Sequence, residues 1–152
     1  MAVAITIHFL SALIWVGGMF FAYMALRPVA ASLLEPPVRL ALWSQTFARF
    51  FTWVWLSIIL LPSTGLWMIF NIFGGMEHLG LHIKVMMWTG FLMIFLFLHM
   101  FFGPYRRLKL ALADEQIKEA ARRLNQIRII IAINLTLGLF VVITATAGEH
   151  IF

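Results

Sequence analysis

Four stretches of the chain are strongly apolar and contain no Asp, Glu, Lys or Arg: residues 2–26, 50–76, 85–105 and 129–148. An α-helix rises about 1.5 Å per residue, so each stretch is long enough to cross the roughly 30 Å of hydrocarbon in a bilayer. The pattern therefore predicts an all-α integral membrane protein, folded as an antiparallel four-helix bundle. We place the spans at about residues 3–26, 50–73, 81–102 and 127–147, in a single transmembrane domain over residues 1–152.

Prolines mark the expected interruptions of these helices. The first span should end at Arg27-Pro28 and the third at Gly103-Pro104, because proline disfavours a helical conformation in the residue before it. Pro62 lies within the second span and predicts a kink there.

Two amphipathic segments lie between the spans. Residues 38–50 carry apolar positions at helical spacing beside Arg39 and Arg49, and a similar stripe follows Asp114, which is suited to cap a helix. These segments predict short interfacial helices on the cytoplasmic side, leading into the second and fourth spans.

The basic residues are concentrated in two connections. Ten of the eleven Lys and Arg lie between the first and second spans or between the third and fourth. Since connections rich in Lys and Arg stay in the cytoplasm, both termini are expected on the outer side of the membrane. The net charge of +5 then reflects topology and anionic lipid, so we predict a lipid environment and no nucleic-acid binding.

The chain contains no cysteine, which restricts the chemistry open to it. Disulfides, iron–sulfur clusters, thiolate zinc sites and covalently attached c-type haem are excluded. Any metal or cofactor must be held by His, Met, Lys, carboxylate or backbone groups. No basic region precedes the first apolar run, so this span is expected to remain as an anchor and not to be cleaved as a signal peptide.

His8 is the first candidate ligand, because an ionisable residue inside a span is a functional candidate by default. Helical spacing puts Ser11, Ala12 and Trp15 on the same face, so small side chains lie beside the imidazole and a large ring follows. This arrangement leaves space for a flat ligand. The alternative is a histidine that only forms a hydrogen bond to a neighbouring helix.

The remaining candidates lie in and after the last two spans. His82 and His99 are 17 residues apart, or about 25 Å along one helix, so they cannot bind the same ion. His82 begins the third span at a depth similar to that of His8, and we expect the two imidazoles to face each other. Lys84 should either reach the outer surface or pair with a cofactor carboxylate. His150 follows the fourth span on the outer side, near enough to join His8 and His82.

His99 lies near the cytoplasmic end of the third span. Arg106 and Arg107 follow within two helical turns, and Arg49 precedes the second span at the same side. We expect these groups to form a cationic pocket that suits an anionic headgroup or a carboxylate. A histidine that is simply hydrated at the end of a span is the alternative.

Haem b fits these features best, and copper is the alternative. For haem, His8 and His82 would be axial ligands, Trp15 a wall of the slot and Lys84 a partner of the propionates. For copper, the thioethers of a methionine stripe on the third span would add to imidazole ligands, although methionines also simply fill gaps between helices. The candidate metal ligands are His8, His82, His99 and His150.

The first span resembles that of the CopD-like family, named for copper resistance protein D. The likeness rests on His8-Phe-Leu-Ser-Ala-Leu-Ile-Trp-Val-Gly-Gly and Leu-Arg27-Pro, and continues to Pro104-Tyr-Arg-Arg-Leu. It implies a helical protein of the bacterial inner membrane that is linked to copper uptake or tolerance. The element Leu-His82-Ile-Lys84, followed by His99, is similar to a span of the HemJ type of protoporphyrinogen oxidase. That second resemblance implies haem and porphyrin oxidation.

Three functions follow as hypotheses. The leading one is a b-haem protein of the inner membrane with a redox role that involves quinone or another redox protein. Oxidoreductase activity is one form of this role. The second is copper binding or transport, for which a chain of four spans would form a homo-oligomer. The third is a structural subunit of a larger membrane complex, in which the histidines serve packing alone. No nucleophile beside a base and no paired carboxylates occur within a span, so hydrolysis has no support.

Overall fold

The chain forms four long helices in a computed structural model that describes the backbone of residues 1–151 and the side chains of residues 1–148. The first helix covers Ala2–Leu33, the second Pro36–Asn71, the third Leu81–Ala113 and the fourth Ile117–Ile151. Each of them contains a segment long and apolar enough to cross a membrane. The described chain is 92% helical and contains no strand, so the predicted all-α membrane bundle is confirmed.

The helices of the first and third spans do not stop at the prolines, where the sequence predicted that they end. The first helix continues past Pro28 to Leu33, and the third continues past Pro104 to Ala113. In each case the helix widens into a π-helical turn, Ala22–Leu26 or Phe101–Tyr105. A proline ring clashes with the carbonyl four residues earlier, and a wider turn relieves that clash without ending the helix.

The predicted interfacial segments join the spans directly. Residues 38–50 belong to the second helix, which begins at Pro36 and stays helical through Pro62. The cap assigned to Asp114 is wrong, because Asp114 ends the third helix and the fourth begins only at Ile117. Between them Glu115 has a φ of 54°, a left-handed conformation that turns the chain.

The helices pack as two antiparallel pairs, the first against the second and the third against the fourth. A short 3₁₀ turn, Met76–His78, lies in the connection between the pairs. Aromatic rings fill the centre, where Trp15, Phe51 and Phe97 from three helices meet edge to face. Few polar side chains of the described residues are buried within the bundle: Ser11, Ser57, Asn134 and Thr144.

Candidate functional site

His8 faces the second helix. Its Nδ1 atom lies 2.9 Å from Thr64 Oγ1, and the imidazole packs against Gly65. A methyl group at Gly65 would lie 3.3 Å from His8 Cε1, so the glycine leaves room for the ring. The two helices therefore hold the half-buried imidazole between them.

The partners of Thr64 favour one tautomer of His8. The Thr64 hydroxyl donates to the Leu60 carbonyl on its own helix, at 2.6 Å. With its single proton directed to Leu60, Thr64 Oγ1 is placed to accept a hydrogen bond from His8 Nδ1–H. A neutral imidazole protonated on Nδ1 keeps its free lone pair on Nε2. Ligand histidines are commonly held in this way, with one ring nitrogen bonded to the protein and the other left for a metal.

His82 packs against a different helix. Its Cβ atom lies 2.7 Å from the position that a side-chain carbon on Gly148 would occupy, so the fourth helix passes directly over it. Its ring also lies over Gly80, at the start of its own helix. His8 therefore packs against the second helix and His82 against the fourth, and the facing pair of imidazoles expected from the sequence stays a prediction.

The other candidates are distributed over the bundle. Trp15 is buried and contacts the ring of Phe97, whereas Lys84 and His99 are exposed. The side chain of His150 lies outside the described residues. Within residues 1–148, no three His, Asp or Glu side chains come together as a group able to hold a metal ion.

Asn134 is a buried polar residue that the sequence analysis did not single out. Its amide nitrogen donates to the Met93 carbonyl at 3.2 Å, while Oδ1 has no hydrogen-bond partner among the described residues. An unpaired oxygen in the interior of a membrane bundle is costly, since no water is available in the surrounding hydrocarbon. The available sequence signal was an amide within a charge-free span, which marks a residue held between helices.

Replacing Asn134 by leucine should raise the free energy of unfolding by about 1 kcal/mol, because the unpaired oxygen is removed and the volume is nearly kept. Thermal unfolding of the detergent-solubilised protein measures this change. Thr136→Leu, an exposed polar position on the same helix, is the matched control. A destabilised Asn134→Leu variant would contradict the prediction and would mean that the hydrogen bond to Met93, or a buried water at Oδ1, stabilises the protein by more than the unpaired oxygen costs.

A cationic cavity is formed by arginines other than those expected around His99. Arg49, Arg106 and Arg107 are exposed, as His99 is. A cavity of about 360 Å³ is instead lined by three other arginines: Arg27, Arg39 and Arg128. Spacing along one helix could not reveal this group, because each arginine belongs to a different helix.

Comparison with known proteins gives one match. The family model described as Copper resistance protein D matches residues 44–147, more than half of the chain. The matched region includes Thr64, His82 and Lys84 and begins after the first helix, so the argument for His8 rests on its geometry. No curated protein and no solved structure matches the chain.

Proposed function

This chain belongs to the copper resistance protein D family, and from that premise we propose that it binds copper within the membrane, with His8 Nε2 as a ligand. The observation that supports the proposal is the hydrogen bond between His8 Nδ1 and Thr64, since donation by Nδ1 would leave the lone pair on Nε2 free. Copper is the cargo here, handled by a copper-resistance-related membrane protein.

The donors near His8 suit copper(I). Imidazole nitrogen and thioether sulfur are the ligands that this soft cation prefers in the absence of cysteine. Met68 follows Thr64 by four residues, so it lies one turn farther along the face of the second helix that meets His8. The side chain is half-buried and flexible enough to turn its sulfur toward a bound ion. We therefore propose His8 and Met68 as the first two ligands.

Haem b with a redox role is a second candidate, because the same Nε2 lone pair would serve as an axial ligand. Ser11 and Trp15 lie on the His8 face of the first helix, and both are buried. In this case His8 would be the only axial ligand of the haem iron that the first and second helices supply. On either proposal, the protein lies in the bacterial inner membrane with both termini outside, as the basic connections predict.

The deciding experiment is a titration of the purified full-length protein with Cu(I) against a chromogenic competitor. His8→Ala should weaken binding by about 100-fold or more, and Thr64→Val by about tenfold, because loss of a supporting hydrogen bond typically costs 10-fold to 100-fold in metal affinity. His78→Ala removes an exposed imidazole in the outer connection and should leave the affinity unchanged.

Two results would count against the copper proposal. Unchanged affinity in His8→Ala would exclude His8 as a ligand. A Soret band in protein purified from haem-supplemented cells, lost in His8→Ala and retained in His78→Ala, would favour the haem candidate instead. A sample without that band would exclude haem b.

A further inference from the structure

The cavity with three arginines lies between the first, second and fourth helices, at the end of the bundle where the basic connections are. Arg27 comes from the first helix, Arg39 from the second and Arg128 from the fourth. The cavity has a volume of about 360 Å³. Pockets that bind small molecules begin at about this size.

The positive charge of this cavity is not neutralised by the residues that line it, none of which is Asp or Glu. The Arg27 guanidinium lies 4.6 Å from the centre of the Tyr23 ring, and Arg39 Nη1 donates to the Ala31 carbonyl at 3.4 Å. Arg128 Nη2 donates to Asn125 Oδ1. All three partners are neutral. Each guanidinium has five N–H donors, so most of the donors stay available for an anion.

The inner part of the cavity is apolar. Buried Leu40, Trp43 and Phe47 form its wall on the second helix. A smaller cavity of about 140 Å³ shares Ala22, Phe47 and Ile131 with it, so the two cavities adjoin. The shared residues lie where the cavity lined by arginines meets the smaller cavity, which we call the apolar extension.

The apolar extension reaches toward the membrane interior and borders the surface of the bundle. It follows the first helix back to Gly18, nine residues before Arg27 and so about 13 Å deeper. Phe21, one of its lining residues, is 62% exposed on the face that meets lipid. A molecule in the bilayer can therefore enter the extension sideways, with its polar group remaining at the level of the arginines.

We propose that the two adjoining cavities bind one anionic phospholipid from the leaflet at the basic end of the bundle. Its phosphate would lie among Arg27, Arg39 and Arg128, because guanidinium groups bind phosphate oxygens through paired hydrogen bonds. The beginning of an acyl chain would fill the extension near Gly18. A free anion would leave that apolar space empty, and a zwitterionic lipid would bring a cation toward three arginines.

The proposal is tested with the full-length protein in nanodiscs of phosphatidylcholine, with and without phosphatidylglycerol. Native mass spectrometry of the retained lipids should show a preference for phosphatidylglycerol of roughly tenfold or more, since each basic group near the surface favours anionic lipid. The combined variant Arg27→Gln/Arg39→Gln/Arg128→Gln should lose the preference. Arg106→Gln/Arg107→Gln/Lys118→Gln removes the same charge at exposed positions and should keep it. An equal loss of the preference for phosphatidylglycerol in the two combined variants would overturn the proposal.

Two further experiments distinguish a bound lipid from a bound soluble anion. Ala22→Leu narrows the junction of the cavities while keeping all three arginines, and should reduce lipid retention severalfold. Inorganic phosphate added to delipidated protein should leave the thermal midpoint unchanged, whereas phosphatidylglycerol should raise it. An equal rise in the thermal midpoint with inorganic phosphate and with phosphatidylglycerol would overturn the assignment to a lipid. If the arginine variant does not fold, equal retention of both lipids by the unaltered protein would still refute the proposal.

Discussion

Replacing Phe97 by alanine is expected to lower the free energy of unfolding by about 2 kcal/mol, the cost of the cavity that a fully buried aromatic ring leaves behind. Phe97 is 1% exposed, and its ring contacts Trp15 on the first helix and Phe51 and Trp55 on the second. These centroids lie 5.4–6.4 Å from that of Phe97, mostly in edge-to-face geometry. One side chain thus connects the two helix pairs.

The matched control is Phe95→Ala on the same helix. Phe95 is 65% exposed, on a helix that is apolar enough to cross a membrane, so we expect its ring to face lipid. Lipid tails are as apolar as a helix interface, so only packing lost between helices should affect stability. Unfolding by sodium dodecyl sulfate, followed by tryptophan fluorescence, measures both variants. Equal destabilisation by the two substitutions would show that Phe97 does not join the helix pairs.

Replacing Gly138 by leucine is expected to destabilise the bundle by about 3 kcal/mol or to prevent its assembly, because well-packed interiors tolerate added volume poorly. A single carbon on Gly138 would lie 2.8 Å from a Val16 methyl group and 3.2 Å from Met93 Cε. The first, third and fourth helices therefore meet at this glycine. Branched Val16 has little freedom to move aside.

Gly90→Leu provides the control for the effect of leucine itself. Nothing lies within 4 Å of a carbon added at Gly90, which is also within a helix. The substitution should be neutral or slightly stabilising, because leucine favours helix formation more than glycine does. The yield of monodisperse protein and its unfolding midpoint distinguish the two variants. A stable, well-assembled Gly138→Leu protein would mean that the three helices are farther apart than the structure places them.

The sequence predicted the positions of the helices better than it predicted their ends. The positions of the four apolar helices were predicted because the charge-free stretches are long and well separated. Two ends were wrong because Pro28 and Pro104 were interpreted as stops for an α-helix. The chain passes both prolines by adopting a wider turn, a geometry that the sequence rule does not include.

In the candidate site, the sequence identified single residues but not their partners on other helices. His8 was identified because an imidazole within a span is unusual, but its partner Thr64 is 56 residues away. Asn134 and the arginine cavity were not identified, because helical periodicity relates only residues on one helix. Which cations share a cavity depends on how neighbouring helices are rotated, as the change from Arg49 and Arg106 to Arg27 and Arg39 illustrates.

The sequence by itself determined that this protein is helical and embedded in a membrane, because hydropathy and charge are properties of each segment that need no partner. Only the tertiary structure decided that His8 meets Thr64 through Nδ1, that His8 and His82 pack against different helices, and where three arginines meet. The reason is physical: in a bilayer, the rotation of each helix is set by close packing against its neighbours, and apolar sequence carries little information about that rotation.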